Sequence, residues 1–184
     1  MNTGLISTRY ATALLDYSIA SGQEKEVYGR MKTLSEVYLL VPQLRTALAN
    51  TAISNKNKKQ IIFTSIGGSV PSSLDKMIDL ILKNERVEVI LFIALRYIEL
   101  YRERFGIQYG KLITAVPINK ENEEKIISRI SNIVGENLEI EPVVDPDLIG
   151  GFVLHLNDLR WDASVAGELT RFKNKIKRQE AENA

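Results

Sequence analysis

The chain has 184 residues, a net charge of +1, one histidine and no cysteine. These counts exclude disulfides, thiolate zinc sites, a cysteine nucleophile and polyhistidine metal centres, and whole-molecule charge gives no pull toward nucleic acid. With 45% hydrophobic and 26% charged residues, the composition is that of an ordinary globular protein, long enough for one domain or two small ones.

The opening segment MNTGLISTRYATALL has no basic leader followed by a long apolar run, so no secretory signal is expected. Residues 5 to about 20 have helical periodicity, with Ile6, Tyr10, Ala13, Leu14 and Tyr17 forming one apolar stripe and Ser21-Gly22 ending it. A second helix is predicted from Gln23 to Leu40, on Val27, Met31, Leu34, Tyr38 and Val41, and a short third from Pro42 to Ala49. Ser54-Asn55 supplies a cap for a fourth, which carries Ile61, Ile62 and Ile66 and stops at Gly67-Gly68. Pro71 suits the start of a fifth, rich in Leu74, Met77, Ile78, Leu80, Ile81 and Leu82 and running to about Lys83. The sixth, Val87 to Phe105, is apolar nearly all round and is expected at the bundle centre. Glu88, Arg96 and Glu99 interrupt its apolar run, which falls short of the roughly 20 residues of a membrane span. The expectation is a soluble protein that can still sit on a membrane complex.

At Gly106 the period changes. Ile107 to Val116 reads as a strand ended by Pro117. Asn119 caps a helix whose first turn holds Glu121, Glu123 and Glu124, whose buried face is Ile126, Ile127, Ile130, Ile133 and Val134, and which ends at Gly135. A strand from Leu138, a turn at Asp145-Pro146-Asp147 and a strand from Leu148 to Leu156 follow, the last with Gly150-Gly151 set into it as a bulge or close approach. After the turn Asn157-Asp158 the chain alternates briefly and enters a last helix on Val165, Leu169, Phe172 and Ile176, with a charged tail expected to fray. The fold class is α+β: an N-terminal six-helix bundle, residues 1–106, then a smaller α/β part, residues 107–184, with a short sheet and two helices.

Catalytic chemistry is sparse. Asp145, Asp147, Asp158 and Asp162 could form an acidic site, but each lies beside a proline, an asparagine or a helix start, where aspartate serves the backbone. His155 reads as a half-buried strand residue. Neither glycine pair sits in a phosphate-loop motif. Lys56, Lys58 and Lys59 lack the interleaved aromatics of a nucleic-acid platform and read as a solvated face. The first helix differs, because small Ala13 among Tyr10, Leu14 and Tyr17 suits either core packing or a groove for a partner's amphipathic helix.

With both halves in view, the chain resembles the delta subunit family of bacterial rotary ATP synthases, counterpart of the mitochondrial oligomycin-sensitivity-conferring protein. Arg9-Tyr10-Ala11-Thr12-Ala13-Leu14 is similar to the family's opening motif. Leu138, Ile140, Val144, Asp145, Leu148, Gly150, Gly151, Phe152, Leu154, His155 and Asn157 fit its strand–turn–Gly-Gly–strand pattern. Asp162, Ser164, Val165, Gly167, Leu169 and Phe172 fit its continuation. Ala163 and Trp161 depart from the residues usual there. The resemblance implies a non-catalytic subunit without a cofactor, present as one copy and peripheral on the cytoplasmic face of the inner membrane. It further implies a groove between the first and fifth helices for the N-terminal helix of an alpha subunit, lined by Tyr10, Ala13, Leu14 and Tyr17 on one side and Met77, Leu80 and Ile81 on the other. The C-terminal part would meet the end of the b-subunit stalk. Asp145, Leu148, Gly150, Gly151, Asp162, Ser164 and Gly167 would be structural signature residues. A small nucleotide-binding enzyme and a nucleic-acid adaptor are the alternatives.

Overall fold

Helix α1 (Thr3–Ala20) opens a series that continues with α2 (Glu24–Leu40), α3 (Pro42–Ala49), α4 (Asn55–Ser65), α5 (Ser72–Lys83) and, after a 3-10 turn at Val87–Val89, α6 (Ile90–Phe105). Then come β1 (Gln108–Thr114), α7 (Lys120–Val134), β2 (Leu138–Val144), β3 (Gly151–Leu156), β4 (Leu159–Ser164) and α8 (Val165–Glu182). The computed structural model describes residues 3–135, 137–156 and 159–182, without the side chains of 120, 123, 132–134 and 174–182. The chain divides into two units, Met1–Phe105 and Gly106–Ala184. Among the described residues no helix is long and apolar enough to cross a membrane.

In the first unit α6 packs against both α1 and α2. Ile90, Ile93, Ala94, Tyr97, Ile98 and Tyr101 of α6 are buried with Leu14, Met31, Leu34, Ile62, Ile66, Leu74 and Ile78, and each large apolar side chain removed from water contributes roughly 1.5–3 kcal/mol. The helix expected at the bundle centre packs chiefly against α1 and α2, and its apolar circumference is not wholly covered, since Phe92 and Leu95 are exposed. Tyr97 is fully buried and its hydroxyl meets Ser18 Oγ at 2.9 Å, so a buried phenol finds a partner.

A helix end accounts for Gly67 and Gly68. Gly68 N–H donates to the Phe63 carbonyl and Gly67 N–H to that of Thr64, with Gly67 at φ +93: a Schellman closure of α4. Arg30 donates a 2.7 Å bond to the Ile66 carbonyl there. Gly67-Gly68 is therefore a helix stop. At the end of α5 the same closure forms with Glu85 in the left-handed position, φ +54. The N-terminus of α5 has no cap of its own; Gln23 Oε1 accepts from the Ser73 amide at 3.1 Å.

The second unit is a four-stranded sheet of order β2-β1-β3-β4. β1 and β2 are parallel, as a crossover through α7 requires, and the β1–β3 and β3–β4 pairs are antiparallel. Leu112, Leu154 and Leu156 on one sheet face pack with Ile130 of α7, and Ile118, Ile126, Leu138, Ile140 and Phe152 close around them. Asn119 caps α7, accepting from the Asn122 amide at 2.9 Å. Ile126 and Ile127 are half-buried, while the side chains of Ile133, Val134 and Ile176 lie outside the described residues, as does the Asn157-Asp158 turn.

Two strand expectations are corrected. The strand placed from Leu148 begins at Gly151, because Asp147 N–H donates to Asp145 Oδ1 and Leu148 N–H to the Asp145 carbonyl, extending the turn. The brief alternation at Leu159–Ser164 is a full strand paired with β3. Helix α8 runs to Glu182, through the tail expected to fray.

Candidate partner-binding site

Helices α1 and α5 are joined by two polar bridges. Asn84 Nδ2 donates to the Tyr10 hydroxyl at 2.8 Å, and Lys76 Nζ to the Tyr17 hydroxyl at 2.7 Å. The pairing of an early α1 residue with a late α5 residue makes the helices antiparallel. On α5, Lys76, Leu80 and Asn84 are four apart and share one face. On α1 the bridge positions are two turns apart, about 10 Å. Between the bridges, Ala13 is exposed and Leu80 is 46% exposed, beside Tyr17 at 42%. The result is a shallow apolar face with an alanine at its middle, where another backbone can approach closely.

Not every residue named for this groove reaches the surface. Tyr10, Ala13, Tyr17 and Leu80 do, but Leu14 at 0% and Ile81 at 1% are core residues, and Met77 is 8% exposed. The expected stripe is rotated: α1 turns Ser7, Ala11, Leu14, Leu15 and Ser18 inward, small polar residues included. Leu14, Met77 and Ile81 thus support the face from below. Sequence reasoning missed Lys76 and Asn84; their four-residue spacing on either side of Leu80 was the available signal.

The basic cluster does not persist as one. Lys58 is 7% exposed, whereas Lys59 reaches Asp75 at 2.5 Å and Asp79 at 2.8 Å. Burial pulls the Lys59 ammonium down, but its hydrogen bonds to Asp75 and Asp79 carry it above the ordinary lysine value. Lys76 is likewise held above that value by its bond to Tyr17.

In the second unit the signature residues start α8. Asp162 Oδ1 accepts from the Ser164 amide at 3.0 Å and hydroxyl at 2.6 Å, and Ser164 Oγ accepts from the Gly167 amide at 3.0 Å. Ser164 is thus the N-cap, aimed by Asp162, and the Val165 amide donates to the Gly150 carbonyl at 3.1 Å. The Ser164 hydroxyl, then its amide, hold the Asp162 carboxyl below the usual aspartate value, with Arg160 and Arg171 adding charge. A Cβ on Gly167 would stand 2.7 Å from Asp162 Oδ1, and one on Gly151, φ +76, would overlap the Ala163 carbonyl oxygen. Asp145 makes the turn before Leu148. Val165, Leu169 and Phe172 lie exposed along α8. Among the described residues no group of His, Asp or Glu is arranged to hold a metal.

A helical bundle with an apolar two-helix face, followed by a small α/β unit with an apolar stripe on its last helix, defines the class: a two-unit α+β protein with exposed apolar side chains on a helix of each unit. The chain belongs to the ATP synthase delta (OSCP) subunit family, whose profile matches residues 6–176. It is 40% identical to ATP synthase subunit delta of Bacteroides thetaiotaomicron, over 96% of each chain. It is 38% identical to the same subunit of Bacteroides fragilis, over 96% of each, and 29% identical to that of Flavobacterium johnsoniae, over 91% of this chain and 94% of the relative. In fold it is similar to a chain of the Toxoplasma gondii mitochondrial ATP synthase hexamer, with TM-score 0.62 and 16% identity over 92% of this chain and 96% of that one. The glycine pairs serve turns, Lys58 is buried and Lys59 is paired with Asp75 and Asp79, and no comparison favours a nucleotide-binding enzyme or a nucleic-acid adaptor.

Proposed function

We propose that this chain is the stator link of its ATP synthase. The bundle receives the N-terminal helix of an alpha subunit of the catalytic head on the α1–α5 face, and the α/β unit meets the end of the b-subunit stalk. Ion flow then turns the rotor while the head stays fixed. The work is attachment, done without a catalytic group or cofactor, by one copy held peripherally on the cytoplasmic side of the inner membrane. The observation that carries this is the open apolar face around Ala13 and Leu80, present in a chain of the delta subunit family. The exposed Val165, Leu169 and Phe172 of α8 support the second contact. Once one end is attached the other binds as if intramolecular, so two modest contacts make a durable tether.

The test is titration of the full chain with a synthetic peptide of the alpha-subunit N-terminus. Resonances of Tyr10, Ala13 and Leu80 should shift together; unchanged spectra at saturating peptide would sink the assignment. Ala13→Asp should leave the fold intact, since Ala13 is exposed, and weaken the peptide at least about tenfold by placing a charge under an apolar contact.

A further inference from the structure

The margins of the α1–α5 face are charged, and unevenly so. On α5, Lys76 and Lys83 are exposed one turn to either side of Leu80. On α1, Arg9 stands one turn before Ala13 and Asp16 one turn after it, both exposed. These four positions hold three cations and one carboxylate, and the exposed Glu85 adds a second carboxylate just past the Asn84 bridge. Lys76 spends one donor on the Tyr17 hydroxyl at 2.7 Å, with its ammonium 5.2 Å from that ring's centroid. An ammonium has three donors, so two remain. Among the described residues no carboxylate comes within ion-pair distance of Lys76, Lys83 or Arg9; Asp75 and Asp79, the acids of α5, are engaged by Lys59 of α4. An apolar face bordered by three cations that have no ion-pair partner among the described residues attracts the opposite charge.

We infer that the helix received here is acidic along the edges of its apolar stripe, with one carboxylate landing on Lys76. This rests on the docking reading above and adds the partner's chemistry. The two bridges fix the dimensions: about two turns of apolar side chains over Ala13 and Leu80, with acidic residues flanking them. Because Lys76 and Tyr17 already hold each other, little side-chain freedom is lost when the carboxylate arrives.

The experiment uses the full chain and a synthetic peptide of the alpha-subunit N-terminus, titrated at low and high salt. Affinity should fall with salt. Lys76→Gln combined with Lys83→Gln should weaken binding about three- to tenfold at low salt, with the difference shrinking at high salt, and Asp16→Asn should strengthen it. Replacing one peptide carboxylate by its amide should cost as much as Lys76→Gln and add nothing on top of it. Salt-independent binding of wild-type strength by all three variants would overturn the inference and leave the docking reading standing. A peptide that fails to bind the unaltered chain at any salt would remove both.

Discussion

The Asp162 carboxylate accepts both the amide and the hydroxyl of Ser164, so one proton loosens two bonds at the start of α8. Its value in the folded chain lies below the ordinary 3.8, so its stabilising contribution is complete above that pH and is lost as pH falls through the lower folded value. The denaturation midpoint of the second unit, followed by the fluorescence of the sole tryptophan, Trp161 in the adjoining strand, should drop across that acid window. Asp162→Asn should flatten the dependence. Ser164→Ala should cost about 1 kcal/mol as a lost N-cap. At the other end of the pH scale, burial pushes the Tyr97 phenol up to about 12. The folded form keeps a proton that the unfolded form gives up near 10, so stability of the first unit should fall as pH rises between those values, and Tyr97→Phe should remove that slope. These roles were only half legible beforehand. Asp162, Ser164 and Gly167 stand out by spacing, but a serine such as Ser18 gives no sign in sequence that it will face a buried phenol across the bundle.

At the scale of elements, spacing located the helices well because each stripe repeats over several turns, and the glycine stops marked their ends. It mis-set the rotation of α1, since Ser7, Ala11 and Ser18 face inward without apolar bulk while Tyr10 and Tyr17 turn aside to bond α5. It missed β4, a six-residue strand whose partner comes from pairing with β3 rather than from its own pattern. Glu85 is the one described non-glycine residue with positive φ, where an L side chain costs roughly 1–2 kcal/mol. Glu85→Gly should raise the stability of the first unit by about 0.5–1 kcal/mol in chemical denaturation, the glycine's extra backbone freedom when unfolded offsetting part of the relief. Along α8, Phe172→Glu should leave thermal unfolding unchanged, because the side chain is 65% exposed, yet abolish capture of a peptide taken from the far end of the b stalk. Retained capture would move that contact elsewhere on the second unit.

For the whole molecule, the change from helical to alternating period at Gly106 coincides with the division between the two units. Each has its own buried cluster, one around Tyr97 and Ile93, the other around Leu112 and Leu154. Residues 1–105 alone should therefore unfold cooperatively on heating with the helical signal of the intact bundle; a broad, non-cooperative melt would show that the bundle depends on the rest of the chain. What sequence could not supply was the order of the strands, because pairing is decided by packing against α7 and not by any local pattern. That order has a mechanical consequence. The first strand after Gly106 is β1, flanked by β2 on one side and β3 on the other. A pull on the backbone at Gly106 thus reaches a strand held by two hydrogen-bond ladders, one to β2 and one to β3. Had the chain entered at an edge strand, the same pull would meet one ladder in place of two.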